Sequence, residues 1–270
     1  MMRTDLAAEC LRQSDSLPEG VFYTEQALQQ GKITMVEIAT EEAQRKIGKP
    51  IGLYVTLEAS PFWEEDSASP QWIEAVAVGL RQLLPEQGTI LVAGLGNREI
   101  TPDALGPAVA EQVLVTRHLS ATFPELRTVA AIAPNVLGKT GLEAAETIRA
   151  VTKEVKPSAV IVVDAMASAS LERLGTTVQL ANTGIIPGAG VLNARKGLNE
   201  ESLGVPVIAM GIPTVVDLGE LLPEPLAEPM MTTPRQIDLL IQRGATFLAS
   251  CINRALHPSL TLEELLLLQS

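Results

Sequence analysis

Two aspartates stand where an α/β protein places its chemistry. Asp164 directly follows the apolar run 159–163 (AVIVV). Asp103 follows the run 89–93 (TILVA) after Gly94-Leu95-Gly96-Asn97 and a short loop, at the start of a helix. In open α/β sheets ligands sit outside the carboxyl ends of the strands. The surroundings of the two acids match, Asp103-Ala104-Leu105-Gly106 and Asp164-Ala165-Met166-Ala167, with small residues that let two strand ends approach. Two carboxylates held close do not both ionise, so one keeps a proton and the pair titrates as a unit. Such a pair supplies a base to activate water and an acid to protonate a leaving amine, as peptide hydrolysis requires. Spacing alone leaves a second reading open, with Asp103 as a helix N-cap and Asp164 as the turn residue closing a strand.

Other chemistries find fewer residues. His118 lies in a Thr-Arg-His-Leu stretch and His257 near the end of the C-terminal helix, and neither accompanies a G-x-S-x-G nucleophile turn. Gly94-Leu95-Gly96 begins like a dinucleotide motif, yet it lacks the third glycine and the acidic ribose partner. There is no phosphate-loop lysine. Cys10 and Cys251 have neither zinc spacing nor a disulfide framework. The expectation is therefore no metal and no cofactor, in a reducing cytosol.

The elements that must position the aspartates follow from periodicity. Residues 1–32 read as polar and irregular, with a short helix near 6–13. Residues 33–38 alternate as a half-buried strand, 41–47 read as a helix and 53–57 as a strand, which makes a small N-terminal β-α-β element at about 32–60. Helices are expected at 71–84, 103–118 and 142–155, and from Pro234 to about Ala255. Strands are expected at 89–93, 128–133, 159–163, 177–180 and 205–210, with a glycine-rich loop at 183–190 and a surface connection at 218–229. Strand and helix alternate, so the predicted fold is α/β, a mostly parallel open sheet flanked by helices. Only 3% of the 270 residues are aromatic and 46% are hydrophobic, so the core is aliphatic, as parallel sheets are. The net charge of −12 without a basic patch speaks against a nucleic-acid partner. No apolar stretch approaches the roughly 20 residues of a membrane span, and no secretory signal opens the chain.

At these residues the chain resembles the germination protease (spore protease) family. The likeness runs through Arg3-Thr4-Asp5-Leu6-Ala7, Thr34 to Ile38, Tyr54 to Glu58, Gly94-Leu95-Gly96-Asn97, Thr101-Pro102-Asp103-Ala104-Leu105-Gly106-Pro107 and Leu114 to Leu119. It continues through Leu137-Gly138, Thr140 to Glu143, Val163-Asp164-Ala165, Thr183-Gly184-Ile185, Pro187-Gly188 and Gly211 to Asp217. The resemblance implies a phosphorylase/hydrolase-like sheet and an atypical aspartic endopeptidase with Asp103 and Asp164 as its pair. It further implies degradation of small acid-soluble spore proteins during germination, in the cytoplasm of the spore core, by a homotetramer made as a self-processing zymogen. Processing would fall between Asp5 and Leu6, leaving 1–5 as a short propeptide and 6–270 as one peptidase domain.

Cleavage after an acidic residue, also implied by the resemblance, calls for a cationic or donor-rich pocket. Arg98, Arg117, Lys139 and Arg195 are its candidates, with the loop containing Gly184 and Gly188 offering backbone amides. The chain departs from the family pattern at Ala169, Asn182 and Ala189, and in the short segment 218–231, where family members carry a long one. Two rival readings remain. One is a hydrogenase-maturation-type endopeptidase, whose nickel site needs a histidine that no residue between His118 and His257 supplies. The other is a non-catalytic peptide-binding relative.

Overall fold

A computed structural model describes residues 4–11, 17–28, 31–64, 69–188, 196–221 and 230–269. The central strands are the continuous apolar runs of the sequence. β4 (Ile90–Gly94) and β6 (Ala159–Ser168) pair in parallel, with β5 (Val129–Ile132) beyond β4 and β8 (Val207–Asp217) beyond β6. Both faces of these strands are covered, which is why they show no alternation of polar and apolar residues. The other half of the sheet is antiparallel. β7 (Thr177–Ala181) pairs with β8, β3 (Gly52–Glu58) with β7, β2 (Gly31–Ile38) with β3, and β1 (Val21–Leu28) with β2. The order is β1-β2-β3-β7-β8-β6-β4-β5, with the short β9 (Met231–Thr232) paired to the end of β8.

One face packs Ile90, Val92, Ile161, Val163, Ile208 and Met210 against α3 (Pro70–Leu83), α4 (Leu105–Gln112) and α8 (Ile237–Leu256). On the opposite face, Leu91, Ala93, Val160 and Val162 meet α6 (Ala144–Val155). On that same face Val36, Ile38, Tyr54 and Ala181 meet α1 (Ala7–Leu11) and α2 (Glu41–Ile47). α5 (Leu137–Thr140), α7 (Glu200–Leu203) and α9 (Leu262–Gln269) are short additions. Among the described residues no helix is long and apolar enough to cross a membrane.

The open α/β sheet matches the expectation, and several boundaries move. The N-terminal strands and α2 form as predicted but continue the main sheet edge to edge. β1 was read as irregular because it is an edge strand exposed along nearly its whole length. The helix expected over 103–118 stops at Gln112. There Leu114 donates its N–H to Asn253 Oδ1 (2.9 Å) and Thr116 hydrogen-bonds to Arg127 and Val129, and these contacts draw the chain out of helical geometry. A 3₁₀ turn follows at Arg117–Leu119. The last long helix begins at Ile237 rather than Pro234, after a turn closed by Ile237 N–H on the Pro234 carbonyl (3.1 Å). Of the connection 218–229, residues 222–229 lie outside the described residues.

Candidate active site

Asp164 lies inside β6, four residues before its end, so it is not the turn residue that closes the strand. Its neighbour across β8 is Gly211, and beyond Gly211 on β7 is Gln179, all three in one cross-strand row. Asp164 is 7% exposed and accepts a hydrogen bond from Ala165 N–H (2.9 Å).

Missing side chains bring Asp103 to the same place. A Cβ on Gly106 would stand 2.2 Å from the Leu95 carbonyl and 2.5 Å from the Val163 carbonyl, so only glycine lets α4 rest on the backbone of the β4 turn and β6. Gly96, at φ +114°, lies so near Asp103 that a Cβ would meet its carbonyl at 2.0 Å. The 3₁₀ turn Thr101–Asp103 is tied to β8 by Thr214 Oγ1 donating to the Pro102 carbonyl (2.7 Å). Asp103 does not cap α4. Ala104 is the N-cap, and the Asp103 carboxylate instead accepts Asn97 N–H at 2.7 Å, from the turn after β4.

The two carboxyls line one cavity of about 400 Å³. Leu95, Ile100, Val136 and Leu137 form apolar walls, and Glu143, Lys196 and Thr214 are polar neighbours. Burial raises the Asp103 carboxyl, against the Asn97 hydrogen bond. Burial, then the charge of Asp103, then that of Asp5, hold the Asp164 carboxyl well above the usual carboxylate range. Asp164 is the more deeply buried of the two, and the charge of Asp103 opposes loss of its proton.

The predicted cationic residues are elsewhere. Arg98 is ion-paired with Glu111 and Lys139 with Glu99, and both are exposed. Neither they nor Arg117, on its exposed 3₁₀ turn, lines the cavity. Arg195 lies outside the described residues. The cation that does line it is Lys196, paired with Glu146 at 2.8 Å. No spacing signal distinguished it. Asn135, also on the wall, carries a left-handed backbone (φ 66°), of which the turn-like Pro134-Asn135 dipeptide is the only trace in the sequence. Gly188 borders the cavity. Gly184 instead makes a tight connection, where a Cβ would stand 2.0 Å from the Leu198 carbonyl. Among the described residues no cluster of three or more His, Cys, Asp or Glu is placed to hold a metal.

The N-terminal segment reaches this region. Asp5 donates its N–H to the Ala167 carbonyl (2.9 Å), and its Oδ2 accepts Ala167 N–H (2.8 Å), so it pairs with β6 three residues beyond Asp164. Leu6 is fully buried. Four residues past Asp5, Glu9 anchors α1. Its carboxylate accepts Ala169 N–H (2.8 Å) and Ser170 Oγ (3.1 Å), beside the buried Arg173.

Comparison with known proteins places the chain in a family. A germination protease of Clostridium perfringens (strain ATCC 13124) is 38% identical over 317 aligned positions, covering 98% of each chain. One from Caldanaerobacter subterraneus subsp. tengcongensis is 39% identical over 98% of this chain and 97% of its own. The HycI [NiFe] hydrogenase maturation protease of Thermococcus kodakarensis KOD1 superposes with a TM-score of 0.40 at 20% identity, over 64% of this chain and 98% of that one. The family of peptidases described as germination protease matches residues 2–222, and the chain belongs to it.

Proposed function

We propose that this chain is an aspartate-dyad endopeptidase that degrades small acid-soluble spore proteins at germination, made in the spore core as a homotetrameric zymogen that removes its own residues 1–5. The observation that carries the reading is the shared cavity, lined by two carboxyls, one half-buried and one buried, both raised by that burial. Between the two ionisations Asp103 is a carboxylate and Asp164 an acid, the protonation states hydrolysis needs. Asp103 takes a proton from water as its oxygen adds to the peptide carbonyl carbon. Asp164 gives its proton to the departing amine as the C–N bond breaks. Ile100 and Leu137, both exposed on the cavity wall, offer an apolar rim on which an extended peptide can lie.

The test is incubation of purified Asp103→Asn and Asp164→Asn proteins with an acid-soluble spore protein. Each variant loses cleavage by at least ~10³-fold, in keeping with loss of a group acting in concert with another, and keeps its circular dichroism spectrum. Wild-type activity in either variant excludes the dyad.

A further inference from the structure

The peptide group joining Asp5 to Leu6 is engaged at both of its polar atoms. Leu6 N–H donates to Thr4 Oγ1 (3.0 Å). The Asp5 carbonyl oxygen accepts two side-chain donors, Gln179 Nε2 at 2.9 Å and Lys49 Nζ at 3.1 Å. Gln179 is fixed in turn, because its Oε1 accepts Ala7 N–H at 2.8 Å and its backbone sits in the row that contains Gly211 and Asp164. Residues that pair across a sheet project from the same face, so Gln179 and Asp164 share one side of it. The carboxylate of Asp5 also rests on the amide of Ala167 and contributes to holding the Asp164 proton. This carbonyl thus has an ammonium, which it shares with the Thr4 carbonyl (3.0 Å), and an amide. Such a pair is placed where negative charge develops when a carbonyl is attacked.

We infer that Lys49 and Gln179 are the carbonyl-polarising pair of the hydrolytic centre. This rests on the proposed dyad and its cut between Asp5 and Leu6. Water oxygen adds to the Asp5 carbonyl carbon, its proton passes to Asp103, and the carbonyl π pair becomes an alkoxide between Nζ and Nε2. Collapse of that intermediate restores C=O and breaks the C–N bond, and Leu6 nitrogen takes the Asp164 proton. Lys49 follows α2 and Gln179 lies on β7, so both remain when residues 1–5 leave and serve an external chain in the same way. Ala167 N–H then receives the acidic side chain before the cut. A main-chain amide thus does the work for which Arg98, Arg117, Lys139 and Arg195 were the candidates.

The experiment follows loss of residues 1–5 by mass spectrometry in the full chain, and cleavage of an acid-soluble spore protein by the processed enzyme. Lys49→Met and Gln179→Leu are each expected to slow both reactions about 10²- to 10³-fold. The loss falls in kcat, with KM within a few-fold, and Lys49→Arg restores most of the rate. Thermal melts establish that the variants are folded, and Lys49→Gln, which keeps a neutral donor, replaces any Met variant that is not. If both variants cut at the wild-type rate while Asp164→Asn is inert, the pair only docks the segment; the inference fails and the dyad stands. If Asp164→Asn also cuts, or wild type never loses residues 1–5, the dyad or its self-cut fails and the inference goes with it.

Discussion

The parallel strands β5, β4, β6 and β8 and the antiparallel strands β1, β2, β3 and β7 share one sheet and hold their functional groups by opposite means. In the parallel half, backbone approaches backbone because side chains are missing. Gly94 faces the Gly106 carbonyl, Gly96 faces that of Asp103, and Gly211 lies against that of Asp164. The aspartates are delivered by close packing and held by single main-chain amides. In the antiparallel half the N-terminal segment is held by long polar side chains. Gln179 and Lys49 reach the Asp5 carbonyl, and buried Arg173 lies between Glu9 and Glu58, at 3.0 Å from the latter. Close packing yields a rigid centre. Side-chain contacts yield an attachment that forms and releases by rotamer change, which suits residues 1–5 if they leave as proposed.

The comparison breaks first at Gly106. Gly106→Ala drives a methyl into two backbone carbonyls that have no room to give. Its expected cost is ~4 kcal/mol, at the upper end for one substitution, measured by urea denaturation. An unchanged midpoint means that missing side chains do not position Asp103. The antiparallel half is tested at Glu9. Glu9→Ala removes the acceptor for Ala169 N–H and Ser170 Oγ and leaves Arg173 with Glu58 alone. The loss is about 2 to 3 kcal/mol, as for hydrogen bonds to a charged group, and limited proteolysis within residues 4–11 rises with it. Equal protection in wild type and variant would make the Glu9 contacts incidental.

The same contrast explains what was legible in the sequence. The runs at 89–93 and 159–163 announce strands covered on both sides, so Asp103 and Asp164 were candidates from local pattern, with the helix-cap and strand-end readings open until the fold set both in one cavity. β1 showed no such run, because an exposed edge strand carries Thr, Glu and Gln where a buried one carries Val and Ile. The reach of β6 and β8 past their apolar runs was hidden by Asp164 after the run 159–163 and by Gly211 after the run 205–210. The cation of the cavity was misplaced because Arg98, close to Asp103 in sequence, turns outward to Glu111, as Lys139 does to Glu99. Lys49 and Gln179 meet Asp5 from 44 and 174 residues away, a coincidence that only the folded sheet creates.

The smallest expected effect concerns stability alone and separates the two aspartates. Burial and the Asp103 charge raise the Asp164 carboxyl well above its ordinary value, so the folded chain holds a proton that the unfolded chain has released. A raised folded-state pKa gives stability that is full below the unfolded value, near 4, and is lost as pH rises through the folded value. Asp164→Asn has no such proton to hold. The variant therefore melts above wild type at pH 8, each kcal/mol relieved appearing as roughly 2–4 °C for a domain of this size. The advantage narrows as pH falls and disappears near pH 4, where wild-type Asp164 is neutral in both states. Asp103→Asn shows a smaller effect of the same sign, because its carboxyl is raised less, although removing its charge also eases ionisation of Asp164. An Asp164→Asn advantage that is constant from pH 4 to 8 would trace to packing, and the carboxyl would then not be a proton held by burial beside a charged neighbour.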